Sequence, residues 1–204
     1  EFKRQAKSAD ARVEFARWLA SKGEDGAAID ELEAAVKAGV TDIPEDGLSL
    51  AEEKKQWRLF IRLASQIREP SDDLRIRIAK AGLELRDKET VGAQVEELLA
   101  NPQPSLMAYR VAHVHLWQKG NYNVVRDLAN RIMMDYPDSD LGYSIHGKIA
   151  KLYRRDSEMI KWHREALDRN PDRVDLHFEL GLVYNGKKET VALAPVSYTH
   201  LTLP

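Results

Sequence analysis

Two short segments decide the fold: MMDYPDS, Met133–Ser139, and DRNPDRV, Asp168–Val174. Their prolines, Pro137 and Pro171, stand 34 residues apart, and each closes one helical pattern just before another begins. A fixed period of that length marks a repeat made of a helix, a turn and a second helix. Carried along the chain, the frame gives blocks 72–105, 106–139 and 140–173 and a block opening at 174, and a further copy, out of that frame, fits over 9–42.

The blocks agree in content as well as length. Block 140–173 carries Tyr143, Gly147, Met159, Ala166, Leu167 and Pro171, and VDLHFELGLVY, Val174–Tyr184, repeats its opening with Leu180, Gly181 and Tyr184. Block 106–139 supplies Tyr109, Ala112, the turn Gly120–Tyr122, Ile132 and Pro137, and block 9–42 places Ala16, Gly23, Ala28 and Ala35 in register. In this pattern the chain resembles the tetratricopeptide repeat (TPR) family over about four-fifths of its length. Small residues let the two helices of a repeat approach closely, while large ones fill the space to the next repeat. The resemblance implies an all-α, right-handed superhelical solenoid of about ten helices in antiparallel pairs. Helices are expected over 8–22, 25–38, 49–67, 72–86, 89–100, 105–119, 121–135, 139–153, 156–169 and 173–186, in a single array over 1–190. A bulky residue at Gly181 or Ala166 is expected to cost ~1–3 kcal/mol through overpacking.

Two departures stand out. His113 occupies a place where the family has Gly or Ala, with the small residue displaced to Ala112. Residues 43–71 offer a single helix, with Leu50, Trp57, Phe60, Ile61, Ala64 and Ile67 on one stripe, after the breaker segment DIPEDG. An unpaired helix would interrupt the alternation, so 43–71 is expected to be irregular.

Composition narrows the function classes. The 31 Lys and Arg nearly balance 33 Asp and Glu, so no strong field draws the chain to nucleic acid or an anionic membrane. The absence of cysteine removes thiolate metal sites and a Cys nucleophile, and is compatible with either a cytoplasmic or a periplasmic location. No apolar run reaches the ~18 residues a membrane span needs. His113 and His115 are two apart, which on a helix points them to nearly opposite sides. His146, His163 and His177 fall at packing positions, so no metal or other cofactor is expected. No glycine-rich phosphate loop and no nucleophile elbow occurs, so no catalytic residues are assigned.

The family geometry places ligand-facing side chains on the first helix of each pair. Here these are Val13 and Arg17; Asp73, Ile76 and Lys80; Arg110, Val114 and Trp117; Ser144, Lys148 and Lys151; and Asp175, Phe178, Leu182 and Asn185. Such a mildly basic groove with apolar patches suits a protein or peptide partner bearing carboxylates and hydrophobic anchors. The competing reading of each charge is a solvated helix face. The functional expectation is a non-catalytic interaction scaffold. The alternative is the helical accessory region of a larger enzyme or cell-envelope assembly protein.

The chain ends in VSYTHLTLP, Val196–Pro204, which has no charge and no helical period. It resembles a translation of the adapter used in transposase-based sequencing libraries, so 191–204 is expected to be foreign to the repeats. With a start at Glu1 rather than Met, the sequence reads as a piece of a longer frame.

Overall fold

A computed structural model of the chain describes residues 8–40, 43 and 45–186. The adapter-like tail and Pro44 lie outside them. The described residues form α1 (Ala9–Ser21), α2 (Asp25–Lys37), α3 (Glu45–Glu53), α4 (Trp57–Ala64), α5 (Asp72–Leu85), α6 (Lys88–Ala100), α7 (Leu106–Gln118), α8 (Tyr122–Asp135), α9 (Asp140–Leu152), α10 (Asp156–Arg169) and α11 (Val174–Gly186), with no strand among them. None of these helices is long and apolar enough to cross a membrane. The chain divides into two compact units, Glu1–Lys119 and Gly120–Pro204.

In the first unit α1 packs on α2, α3 on α4 and α5 on α6, and α7 lies against both α5 and α6. The expected small residues sit in these interfaces: Ala16, Ala28 and Ala35 are all at most 1% exposed, and Ala79 of α5 is buried in the same way. Around them Leu19, Leu32, Leu59, Phe60, Leu63 and Leu74 form one continuous core. In the second unit α9 packs between α8 and α10, and α10 carries α11 through Ala166 and Leu176 and through Met159 and Leu180.

The region 43–71 differs from expectation. The single helix expected over 49–67 is two helices, α3 and α4, reversed at Lys54–Gln56. Lys55 adopts a left-handed φ of 54°, and the amide of Gln56 donates to the carbonyl of Ala51 at 2.8 Å. The same device recurs at other first-helix ends. Glu24 donates to Leu19, Asp87 to Gly82 and Arg155 to Ala150 at 2.9–3.0 Å, beside left-handed Gly23, Arg86 and Arg154. This is a Schellman closure, in which one left-handed residue lets the chain turn back and satisfy carbonyls orphaned at the helix end. The 43–71 segment is therefore a shortened helix pair, concealed in the sequence because a lysine stands where glycine would announce the turn.

First helices are started with equal regularity. Ser71, Ser105 and Ser139 repeat at the 34-residue period, and each side chain accepts from an amide in the first turn of α5, α7 or α9. Second helices α8 and α10 stop at Tyr136 and Asn170, whose extended φ values of −136° and −142° suit residues that precede proline.

The glycines at the eighth repeat position are not equivalent. A Cβ on Gly147 would collide with Nδ1 and Cε1 of His163, which lies fully buried against it. At Gly181, among the described residues, no atom lies within 4 Å of the corresponding point. This corrects the overpacking expectation at Gly181, although Ala166 is fully buried as required. The small residue at 181 faces no second helix among the described residues, whereas Gly147 faces α10.

Two stability predictions follow from these positions. Gly147→Ala should destabilise the protein by ~1–3 kcal/mol through overpacking, while Gly181→Ala should leave it unchanged or raise it by up to ~1 kcal/mol. Equal urea midpoints for the two variants would refute the distinction. Exposed Arg86, held at φ 56°, should accept glycine with a gain of about 0.5 kcal/mol, the relief of left-handed strain less the added freedom of the unfolded chain. A lower urea midpoint for Arg86→Gly would count against this reading of the turn.

Candidate functional site

Of the residues expected to face a ligand in the first unit, Lys80, Arg110 and Val114 are exposed and Trp117 is half-buried, with the His113 ring edge-on to it at 5.7 Å. Arg110, Val114 and Trp117 follow at spacings of four and three, and so share one side of α7. Ile76 does not join them: it is 6% exposed on α5, which packs against α4, α6 and α7. Val13 on α1 is buried too. This fifth position of the repeat borders the packing face and is buried wherever a neighbouring helix closes over it.

In the second unit Ser144 is likewise buried, its hydroxyl donating to the Leu141 carbonyl at 2.9 Å. Lys151 meets a counter-charge from α11, and Lys148 lies within the field of Asp175. Lys151 pairs with Glu179 at 3.1 Å, and Glu179 also bonds Nε2 of the buried His163 at 2.9 Å. Burial raises the Glu179 pKa, but the bonds from His163 and Lys151 outweigh it and hold the carboxyl below its ordinary range. Asp175 falls to about 2, chiefly through its hydrogen bond to Arg173, with Lys148 adding to the field. The expected basic character of this stretch is therefore neutralised from within. Phe178, on the same helix, is 66% exposed, in line with exposed Val174 and Leu182.

Two clefts open on another side of the first helices, while a larger one, of about 730 Å³, is bordered by Arg17 of α1. In the first unit a cleft of about 650 Å³ is lined by α4, α6 and, from α5, Arg75 and Ile78. In the second, a cleft of about 480 Å³ is lined by α8, α10 and, from α9, His146, Ile149, Ala150 and Tyr153. Arg75 and Ile78 each follow Asp73 and Ile76 by two residues, as His146 and Ala150 follow Ser144 and Lys148. At ~100° per residue that step turns to the opposite side of the helix. Reading only the ligand-facing positions of the repeat therefore missed both clefts. The signal that could have found the second was aromatic and basic enrichment on the second helices, at Tyr122, Arg126, Arg155 and Trp162.

His115, His146 and His163 are built into the packing, whereas His177, expected at a packing position, is exposed and bonds the Pro171 carbonyl at 2.9 Å. His115 is 2% exposed, with Nε2 unpartnered and facing Gly92 of α6. Burial, aided by Lys119 and Lys88, pushes its pKa below the ordinary value. His146 stacks on Trp162 at 4.6 Å, and burial and then Arg126 lower its pKa as well. Among the described residues no three His, Asp or Glu side chains come together in a way that could hold a metal ion.

No protein-family model matches the chain, and no curated protein matches it in sequence. Solved structures do match. The crystal structure of YrrB, described as a TPR protein with an unusual peptide-binding site, is 13% identical with a TM-score of 0.62, covering 91% of this chain and 95% of that one. A crystal structure of MamA is 13% identical at a TM-score of 0.61, over 72% of this chain and 87% of that one. The C-terminal part of a TPR repeat-containing protein from Cytophaga hutchinsonii matches at 13% identity and a TM-score of 0.61, over 87% and 75%. The fold is the all-helical TPR-like one.

The two lowered histidines set the pH dependence. The unfolded chain takes up protons near pH ~6.5, before folded His115 and His146 do. Stability should therefore fall as pH drops below that value, by up to ~1.4 kcal/mol per pH unit for each group. Urea midpoints at pH 7.5 and 5.5 test this: a pH-independent midpoint refutes it, and His115→Gln should shallow the slope.

Proposed function

We propose that the protein is a non-catalytic scaffold whose first-helix faces hold a peptide segment of a partner. The observation that carries this reading is the exposed side of α7, where Arg110 and Val114 stand clear of the core beside half-buried Trp117. Arg110 would take a carboxylate through charge-assisted hydrogen bonds, while Val114 and Trp117 would receive an apolar side chain. Lys80 on α5 adds a second exposed cation in the same unit. The pairing of Lys151 with Glu179 moves the emphasis to these residues, while exposed Phe178 offers an apolar contact within the second unit.

Lys148 and Lys151 are poor probes of binding, because reversing their charge would set like charges against Asp175 and Glu179 and loosen α11. Arg110→Glu with Lys80→Glu is the cleaner test. Partner capture should weaken at least about tenfold, the scale of one charge-assisted hydrogen bond, with the melting temperature unchanged. Retention of every partner in a pulldown with the folded double variant would sink the proposal.

A further inference from the structure

The 480 Å³ cleft of the second unit combines features that packing alone does not require. Its walls are aromatic and cross-braced. Tyr122 of α8 meets Tyr153 at the end of α9 edge-to-face at 6.4 Å, and His146 of α9 stacks on Trp162 of α10. Ile149 and Ala150 form an apolar floor, 8% and 3% exposed. Tyr153 nevertheless leaves 54% of its surface in solvent. An aromatic side chain held open at the rim of an apolar cleft retains surface that a ligand can cover.

The charges point to what that ligand carries. Arg155 is already paired with Glu158 at 3.5 Å. Arg126, by contrast, donates to the Asn123 amide oxygen at 3.2 Å, and no carboxylate pairs with it among the described residues. Elsewhere Arg77 is held by both Glu45 and Glu52, and Arg173 by both Asp140 and Asp175. His146, kept neutral by its surroundings and bonded through Nε2 to Asn130 at 2.9 Å, adds no second cation. One exposed guanidinium fork without a carboxylate partner among the described residues, set beside aromatic walls, matches a carboxylate joined to an apolar group.

We propose that this cleft is a second docking site, taking a polypeptide segment in which Asp or Glu adjoins an aromatic or large aliphatic residue. The carboxylate meets Arg126, and the apolar side chain lies against Tyr122, Tyr153 and Trp162. The site lies in the second unit and uses none of Lys80, Arg110, Val114 and Trp117, so the two readings stand or fall separately. Single-stranded RNA, which also uses arginine and aromatic rings, fits less well: its successive phosphates call for a run of cations, and in this lining Arg155 is already paired with Glu158.

The test is fluorescence anisotropy with a fluorescein-labelled peptide Gly-Glu-Phe-Glu-Phe-Glu-Gly, its Gln-for-Glu analogue, and a uridine decamer. The Glu peptide should bind at least about tenfold more tightly than the Gln analogue, and Arg126→Glu should abolish that advantage. Tyr153→Ala should weaken both peptides while the melting temperature holds. Absence of Glu-peptide binding, equal binding of the Gln analogue, unchanged binding by Arg126→Glu, or preference for the uridine decamer would each overturn the proposal. Loss in Arg110→Glu with Arg126→Glu unaffected would assign the peptide to the first unit's groove and equally overturn the cleft.

Discussion

The structure depends on a hydrogen bond from an amide to the carbonyl five residues earlier, made at the end of a first helix. It forms at Glu24–Leu19, Gln56–Ala51, Asp87–Gly82 and Arg155–Ala150, each beside one residue in the left-handed region. By satisfying a carbonyl that the helix end leaves orphaned, it reverses the chain within three residues. The two helices must then lie antiparallel and in contact. Such contact is possible only where side chains are small, hence the buried alanines at 16, 28, 35 and 79 and the glycine at 147. The left-handed strain at Lys55, Arg86 and Arg154 is tolerated because the pairing it permits buries far more surface than the turn exposes.

Charge in this protein is spent largely on holding helices together. Arg77 of α5 reaches Glu45 and Glu52 of α3 and lies over the Phe60 ring of α4, joining three helices. Arg173 binds Asp140 at the start of α9, and Arg169 reaches the Pro137 carbonyl and the Tyr143 hydroxyl. Lys151, Glu179 and His163 connect α9, α11 and α10 in the same manner. The near balance of charges is thus an internal matching as much as a surface property. An arginine left outside it, such as Arg126, is more informative than the net charge.

How much was legible follows from what each signal measures. Pro137 and Pro171 revealed the period because proline ends a helix whatever surrounds it. The serines at 71, 105 and 139 carried the same period just as openly, through their caps. The α3–α4 break was hidden, since Lys55 has no propensity for the conformation it adopts and one apolar stripe runs through both helices. Ile76 and Ser144 were misplaced for a different reason: their exposure depends on which neighbouring helix closes over them.

The sequence by itself determined the helix–turn–helix period, the small residues that bring helices together and the absence of a strong external field, because these rest on local backbone preference and composition. The partner of each charge was decided only by the tertiary structure. Lys151 read as free until Glu179, more than twenty residues away, was brought against it. The aromatic cleft also had to wait for folding, since its walls come from three helices and only their packing sets Tyr122, Tyr153 and Trp162 around one space.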